Sequence, residues 1–395
     1  MDKHTFSNYE VGAPTELAEA EQFCRIVAQC FNAPITEEQA YIDRLGIENF
    51  RIIRKAGQVV GGLQIYPMGQ WYGRHRLEIA GIAAVAIAPE HRGSGVATTL
   101  LTQVLQSLHA TDIPLAVLYA STQRLYRKVG FEQAGIFCRF SVPAKTLISR
   151  HRRLEMIAVD PQNWQIFADL YQQQAIANNG NLDRHPVIWQ RIVHSSSEPL
   201  YAYLIGSETN PQGYVILHHQ AAPGGYSLNL RDVVTLTAAA QERLWTFLAD
   251  HRSLADQVLW RGPMVNPSLL HLPEQTYQVS HLERWFVRLV DVPLALAMRG
   301  YPEGIEAELH LEVQDDLIEP NNGRFVLTVS QGEGRVTPGG RGELQIPVRG
   351  LSPLFTGLLT PDQLHQAGYL TGTSSALATA TLLFSGPEPW MADHF

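Results

Sequence analysis

The sequence predicts a mixed α/β (α+β) chain with two tandem copies of one αβ unit, followed by a third αβ domain of different pattern. Three observations predict it. Residues 83–101 read as a strand, a glycine-bearing turn and a helix. A similar order of helices, hairpin, strand, helix and strand recurs after residue 146. The last third alternates apolar and polar residues with period two. A length of 395 residues suits two or three domains.

In the first unit, Val85-Ala86-Ile87-Ala88 form a short apolar strand that stops at Pro89. The turn His91-Arg92-Gly93-Ser94-Gly95 follows, and Val96, Leu100, Leu101, Val104, Leu105 and Leu108 then recur at helical spacing. Such a turn aims several backbone N–H groups at one spot, and the helix dipole makes that spot favourable for an anion. Two glycines allow close backbone approach. A phosphate-bearing ligand is therefore expected. A P-loop is excluded, because no Gly-Lys-Ser/Thr follows this strand. The dinucleotide fingerprint fails as well, because Thr98 stands where its third glycine belongs. Downstream, residues 113–119 read as a buried strand and residues 123–129 as a short helix. Ser121 or Thr122 is its expected N-cap, and Gly130, followed by Phe131, stands at the C′ position. Two N-terminal helices are expected over residues 16–31 and 37–45.

The second copy carries helices over residues 163–177 and 186–192, a hairpin of strands 201–205 and 213–217 around Asn210-Pro211-Gln212-Gly213, a strand over 228–236, a helix over 238–250 and a strand over 258–260. It differs at the decisive place. After Leu236 the chain reads Thr237-Ala-Ala-Ala-Gln-Glu-Arg243 without a glycine, so this copy is expected to have lost anion binding. The last third carries strands over 307–313, 323–329 and 342–348, with Asn321-Asn322-Gly323 as a hairpin turn. Short helices are expected from Pro353 and Pro361, and an apolar helix over 374–384. Expected domain boundaries are 1–145, 146–283 and 284–395.

Composition excludes several classes. Hydrophobic residues make up 45% and charged residues 17%, an ordinary globular balance with ample core. A formal net charge of −8 argues against nucleic acid as a partner and suits a cationic substrate. No run of 18 apolar residues marks a membrane helix, so no membrane association is expected. The first residues lack a signal-peptide core, and Cys24, Cys30 and Cys138 show no paired spacing, so a cytoplasmic location is expected. No metal site is expected. His218 and His219 are adjacent, and on a strand they face opposite ways.

The pattern Arg92-Gly93-Ser94-Gly95-Val96-Ala97 resembles the pyrophosphate loop of the GNAT superfamily of N-acetyltransferases, which holds acetyl-CoA. Leu125-Tyr126-Arg127-Lys128-Val129-Gly130-Phe131 looks like the signature after the fifth strand of that fold. A catalytic GNAT pattern, a glycine-less second copy and a last domain opening Trp285-Phe-Val-Arg288-Leu-Val-Asp-Val292 together resemble the Eis family of acetyltransferases. The resemblance implies two tandem GNAT-like domains followed by a sterol-carrier-protein-like αβ domain, acting on amines such as aminoglycoside-like or lysine-like acceptors, in a homo-oligomer that is a hexamer. It also implies residue roles. Acetyl-CoA lies along Val85, Ala86 and Ile87, its pyrophosphate sits on Arg92, Gly93, Ser94, Gly95, Val96, Ala97 and Thr98, and Ser121 and Thr122 add contacts. Tyr126 is the general acid, and the terminal carboxylate of Phe395 is the general base.

Elementary chemistry makes these roles sensible. Acetyl transfer to an amine needs a neutral amine, a stabilised oxyanion and a proton for the departing sulfur. Backbone N–H groups near Val85 to Ile87 suit the oxyanion. A tyrosine hydroxyl of pKa about 10 can protonate a thiolate of pKa about 8.5. An α-carboxylate of pKa about 3.5 is a weak base unless desolvated, so Glu388, Asp393 and His394 are alternative bases. A rival of another class is a non-catalytic acyl-CoA or lipid-binding protein.

Overall fold

The computed structural model describes residues 9–32, 42, 45–148, 150–194, 198–223 and 225–395. The chain forms two compact units, one of residues 1–134, 285–386 and 395, the other of residues 135–284 and 387–394. The helix expected over 37–45 lies outside the described residues apart from Ile42 and Leu45.

The first unit opens with strand β1 (Tyr9–Gly12) and helix α1 (Leu17–Phe31), then β2 (Phe50–Lys55), β3 (Gln58–Tyr72) and β4 (His75–Ile87). Helix α2 (Val96–His109), β5 (Leu115–Tyr119) and helix α3 (Gln123–Lys128) follow. Strands β1 to β4 pair antiparallel in sequence order. Strand β5 then joins β4 in parallel through only three pairs, Ile79↔Leu115, Ala80↔Ala116 and Gly81↔Val117. Beyond Gly81 and Val117 the two strands diverge, and the region holding Val85 to Ile87 leaves its β5-side edge open. Helix α2 covers the sheet with Val96, Leu100, Leu101, Val104, Leu105 and Leu108, all buried in one cluster with Ile53, Leu63, Ile82 and Phe131. This is the helical spacing read from the sequence, and each such side chain contributes roughly 1.5–3 kcal/mol by burial.

The second unit contains most of β6 (Glu132–Pro143), β7 (Met156–Val159), helix α4 (Gln165–Ile176), the short β8 (Leu182–Asp183) and helix α5 (Pro186–Val193). It continues through β9 (Leu200–Ser207), β10 (Asn210–Ala222), β11 (Gly225–Thr235), helix α6 (Ala238–Asp250), β12 (Ala255–Gly262) and the start of β13 (Gln278–Leu289). Its strand order β6-β12-β11-β10-β9-β7 contains one parallel pair, β11 with β12. That pair occupies the place of β4 and β5, so the expected repeat of the first αβ pattern is present. The β9–β10 turn falls at residues 208–209, before the expected Asn210–Gly213, because Asn210 and Pro211 already pair with Ser207 and Gly206. Pro211 lacks an N–H, and the register shifts there instead.

The remaining part of the first unit starts at Trp285, where β13 pairs antiparallel with β5 through Trp285↔Tyr119 to Leu289↔Leu115. Helix α7 (Val292–Met298) is capped by Asp291, whose Oδ1 accepts from the Leu294 N–H at 2.9 Å. A separate five-stranded sheet follows, made of β14 (Ala307–Gln314), β15 (Gly323–Ser330), β16 (Glu333–Pro338), β17 (Leu344–Pro347) and β18 (Thr371–Gly372), in the order β16-β15-β14-β17-β18. Helices α8 (Val348–Thr356), α9 (Pro361–Gln366) and α10 (Ser374–Leu383) complete it. Two expectations fail locally. Asn321-Asn322-Gly323 is not a tight hairpin turn. Residues 315–322 form a longer loop, closed by the Asn322 amide bonding the Asp315 carbonyl at 2.7 Å while its Oδ1 accepts from the Asp315 N–H at 2.8 Å. Helix α8 starts at Val348, not at Pro353. Pro353 lies inside it, and Val348, expected as the end of a strand, is its first residue.

Two motifs read separately in the sequence meet in space. Arg288, from the Trp285 motif, is fully buried. Its Nη2 bonds Asp315 at 2.7 and 2.6 Å, and its Nε donates to the Val129 carbonyl at 2.9 Å. Gly130, beside Val129, has φ +92°, and a Cβ there would lie 2.5 Å from Arg288 Nε. Gly130 is thus required both by its left-handed backbone and by the guanidinium behind it. Gly130→Ala is expected to destabilise the fold by roughly 1–3 kcal/mol, read as a lower urea midpoint, with a larger loss than any Gly93→Ala change, since nothing lies within 4 Å of a Cβ at Gly93.

Candidate active site

The turn after β4 is built by its own backbone. Pro89–His91 form a short 3-10 turn, Arg92 Nε donates to the Ile87 carbonyl at 3.1 Å, and Ser94 Oγ donates to the His91 carbonyl at 2.8 Å. Gly93 and Gly95 have φ +79° and +86°, with open space where a side chain would be. The glycines are needed here for their backbone conformation, not to relieve contacts within the protein. Gly95 is the N-cap of α2 and no side chain caps that helix. Its first N–H with an intrahelical acceptor is that of Thr99, bonded to the Gly95 carbonyl at 3.0 Å. The N–H groups of Val96, Ala97 and Thr98 precede it, at a positive helix end on the exposed surface of Arg92 to Gly95.

The second copy differs at the equivalent place. Thr237 caps α6 with its own hydroxyl, which accepts from the Ala240 N–H at 3.1 Å. The missing glycines and this cap, which takes one N–H of the helix end, set the second turn apart from the one after β4.

Strand β4 is irregular where it approaches the turn. The β3–β4 register shifts between Gly62 and Gln64, and Ala84 sits at φ +50°, a conformation uncommon for alanine. A bulge in this position re-aims the backbone of the adjoining Val85, Ala86 and Ile87. Val85, Ile87, Val96, Ala97 and Tyr126 belong to or pack on a single apolar cluster, so the predicted strand, turn and tyrosine residues are brought together. Ala86 is buried outside that cluster, and Ser121 and Thr122 are exposed at the start of α3. Thr122 is the N-cap of α3 by position but makes no capping bond. The Ser121 side chain bonds Tyr126 instead.

Tyr126 is 4% exposed and packs edge-on to Phe131, ring centroids 6.0 Å apart. Burial pushes its hydroxyl pKa up to about 12, with the Ser121 bond opposing the shift. It therefore keeps its proton at neutral pH.

Phe395 belongs to the first unit and is 8% exposed. Its ring lies 5.9 Å from that of Tyr66 and 6.1 Å from that of Tyr119. A Cβ at Gly81 would fall 2.9 Å from Phe395 Cε2. The last aromatic side chain is thus seated against the residue at which β4 and β5 part, a position that would not accept a larger residue unchanged. Gly81, Tyr66 and Tyr119 are residues the sequence reading missed, and a glycine inside a long strand was the available signal.

The alternative bases fare differently. Asp393 accepts from Arg184 Nε at 3.0 and 3.1 Å, and Arg184 also binds Asp232 at 2.6 and 2.9 Å, all buried within the second unit. Its task there is to anchor the tail. Glu388 accepts from the Val265 N–H at 3.1 Å, and His394 Nε2 lies 3.8 Å from Glu283. Elsewhere, His218 pairs with Glu198 at 2.9 Å and His219 stacks on Tyr226 at 4.1 Å. Among the described residues no group of three or more His, Cys, Asp or Glu side chains is arranged to hold a metal ion, and no helix is long and apolar enough to cross a membrane.

Comparison with known proteins places this geometry. The crystal structure of a GCN5-related N-acetyltransferase from Anabaena variabilis superposes with a TM-score of 0.95, at 46% sequence identity, covering 98% of this chain and 100% of that one. This chain belongs to the GCN5-related N-acetyltransferases. The model of an acetyltransferase (GNAT) domain matches residues 13–134, a second GNAT-domain model matches residues 180–289, and a sterol carrier protein domain model matches residues 292–392. An uncharacterized N-acetyltransferase of Streptomyces coelicolor is 27% identical over 390 residues, covering 91% of this chain and 87% of the relative. The N-acetyltransferase Eis of Mycobacterium tuberculosis is 25% identical over 328 residues, covering 76% of each chain. This protein is an N-acetyltransferase with two GNAT domains followed by a sterol-carrier-like domain, and enzymes of this superfamily use acetyl-CoA.

Tyr126 carries a pH signature. Below about pH 10 both the folded and the unfolded chain hold its proton. As pH rises from there toward about 12, only the unfolded chain releases it. Stability is expected to fall over that window by up to about 1.4 kcal/mol per pH unit, and Tyr126→Phe is expected to remove that part of the slope in urea titrations followed by circular dichroism.

Proposed function

We propose that this enzyme transfers acetyl from acetyl-CoA to a primary amine, aminoglycoside-like or lysine-like, at the fork between β4 and β5. The observation that carries the reading is the seating of Phe395 against Gly81, in the same unit as the glycine turn and Tyr126. The residues present fit the cosubstrate. Val96, Ala97 and Thr98 offer N–H groups without intrahelical acceptors, Gly93 and Gly95 leave the approach open, and the β4 backbone over Val85, Ala86 and Ile87 lies unpaired by β5. Acetyl-CoA, when bound, supplies an activated thioester.

The chain's own groups then divide the work. Arg92, Gly93, Ser94, Gly95, Val96, Ala97 and Thr98 hold the pyrophosphate with backbone N–H groups and one guanidinium. Val85, Ala86 and Ile87 orient the pantetheine-like arm by strand-type pairing and aim N–H groups at the carbonyl oxygen. Ser121 and Thr122 add polar contacts at the edge. The carboxylate that Phe395 carries as the last residue of this sequence takes a proton from the incoming ammonium. Tyr66 and Tyr119 hold the ring of the same residue in place. Tyr126, kept protonated by burial, gives its hydroxyl proton to the departing sulfur.

By resemblance to the family the reading extends to domains over 1–145, 146–283 and 284–395, a homohexamer and a cytoplasmic location. The second GNAT-like domain does not bind acetyl-CoA in this reading, since its turn has no glycine and Thr237 takes the Ala240 N–H of the helix end.

Tyr126→Phe is expected to lower kcat by 10²–10⁴-fold, the usual span of general acid catalysis, with acetyl-CoA affinity unchanged by calorimetry. Unchanged turnover would remove Tyr126 from the mechanism. One glycine appended after Phe395 is expected to abolish most turnover against a panel of amines followed by thiol release, with the thermal midpoint retained. Full activity of that variant would exclude the carboxylate as the base.

A further inference from the structure

The second unit holds a cavity unlike the proposed acetyl-transfer site. Its volume is about 300 Å³, and four arginines line it, Arg139 on β6, Arg191 on α5, Arg231 on β11 and Arg261 on β12. Two carboxylates also line it, Glu283 and Asp393. Asp393 is already bound by the buried Arg184, and Glu283 lies 3.4 Å from His281 and 3.8 Å from His394. Among the described residues none of the four arginines has a carboxylate within 4.0 Å.

Their polar contacts within the chain are few. Arg261 Nη1 donates to the Ala392 carbonyl at 3.0 Å, and Arg231 Nη2 donates to the Arg191 carbonyl at 2.5 Å. Arg139 and Arg261 both lie over the ring of Phe137, at 5.5 and 5.4 Å. The ring and two carbonyls hold the guanidinium groups in place without neutralising them. The field they make is visible in their neighbours. Burial, and then the charge of Arg139, lower the Arg261 pKa, with Asp393 and Asp232 opposing and Arg231 adding to the shift. Burial lowers that of His394, Glu283 opposes the shift, and Arg191, Arg261 and Arg139 add to it. Like charges gathered in a partly desolvated cavity cost stability unless a counter-charge joins them. This concentration of positive charge occurs in a chain whose formal net charge is −8.

We propose that this cavity is a binding site for a small anionic molecule carrying a carboxylate or phosphate group, held by Arg139, Arg191, Arg231 and Arg261. Guanidinium groups bind both kinds of oxyanion bidentately, and a volume of this size admits a phosphate or a short dicarboxylate. The site is separate from the glycine turn of the first unit and does not depend on the acetyl-transfer reading.

The test is isothermal titration of the full chain, without acetyl-CoA, with inorganic phosphate and separately with succinate. Saturable binding of at least one probe is expected. It should weaken at least tenfold in the double variant Arg139→Gln with Arg191→Gln, while the thermal midpoint without anion stays the same or rises. Binding of phosphate alone assigns a phosphate-bearing ligand, and binding of succinate alone a carboxylate. Should the double variant fold poorly, Arg139→Gln alone, at an exposed position, is expected to weaken binding at least threefold. No saturable binding of either probe, or binding of equal strength in the folded variants, overturns the proposal. Because the glycine turn is untouched in these variants, phosphate held there would persist in them and count against the cavity.

Discussion

The proposed acetyl-transfer site depends on one constraint, the parting of β4 from β5 after the Gly81↔Val117 pair. Parallel strands that stay paired present no free backbone. Here pairing stops after three residues, so the end of β4 keeps N–H and C=O groups unclaimed by β5, next to a helix start that also has unclaimed N–H groups. The bulge at Ala84 and the terminal Phe395 against Gly81 both lie beside this divergence. Close packing on one side of the fork and open backbone on the other let one scaffold hold a cosubstrate and the proton-transfer groups together.

The two GNAT domains differ in how the helix after the turn begins. Both have a strand, a turn and a helix, and both have a parallel strand pair at the centre. In the first, glycines at φ +79° and +86° leave the helix end uncapped. In the second, a threonine hydroxyl accepts one of its N–H groups. A capping hydroxyl is worth about 1 kcal/mol to helix stability, which is a reason to cap a helix whose N-terminus has no ligand. The uncapped α2 forgoes that contribution where an anion can supply it.

The charge arrangement of the second unit adds a separate theme. Arg184, fully enclosed between Asp232 and Asp393 and lying 3.6 Å over the Tyr171 ring, is compensated and holds the tail. The arginines around the neighbouring cavity have no carboxylate of their own within ion-pair distance among the described residues. A polycationic amine would be disfavoured beside them and an acid favoured.

The sequence by itself determined the order of domains, the glycine turn over Arg92 to Thr98, the helical face of α2 and the loss of glycine in the second copy. These are local, written in periodicity, in the backbone freedom of glycine and in the absence of a capping side chain. It could not show that Gly130 is a glycine partly because of Arg288, 158 positions later, or that Gly81 makes room for the ring of Phe395. It misread the Asn321-Asn322-Gly323 turn, because side-chain amides close that loop in place of a tight backbone turn. It also offered Asp393 as a base, although a buried guanidinium claims that carboxylate. Long-range packing decided these points. Whether a polar or aromatic residue is free to do chemistry depends on which partner reaches it first, and only the folded chain sets those distances.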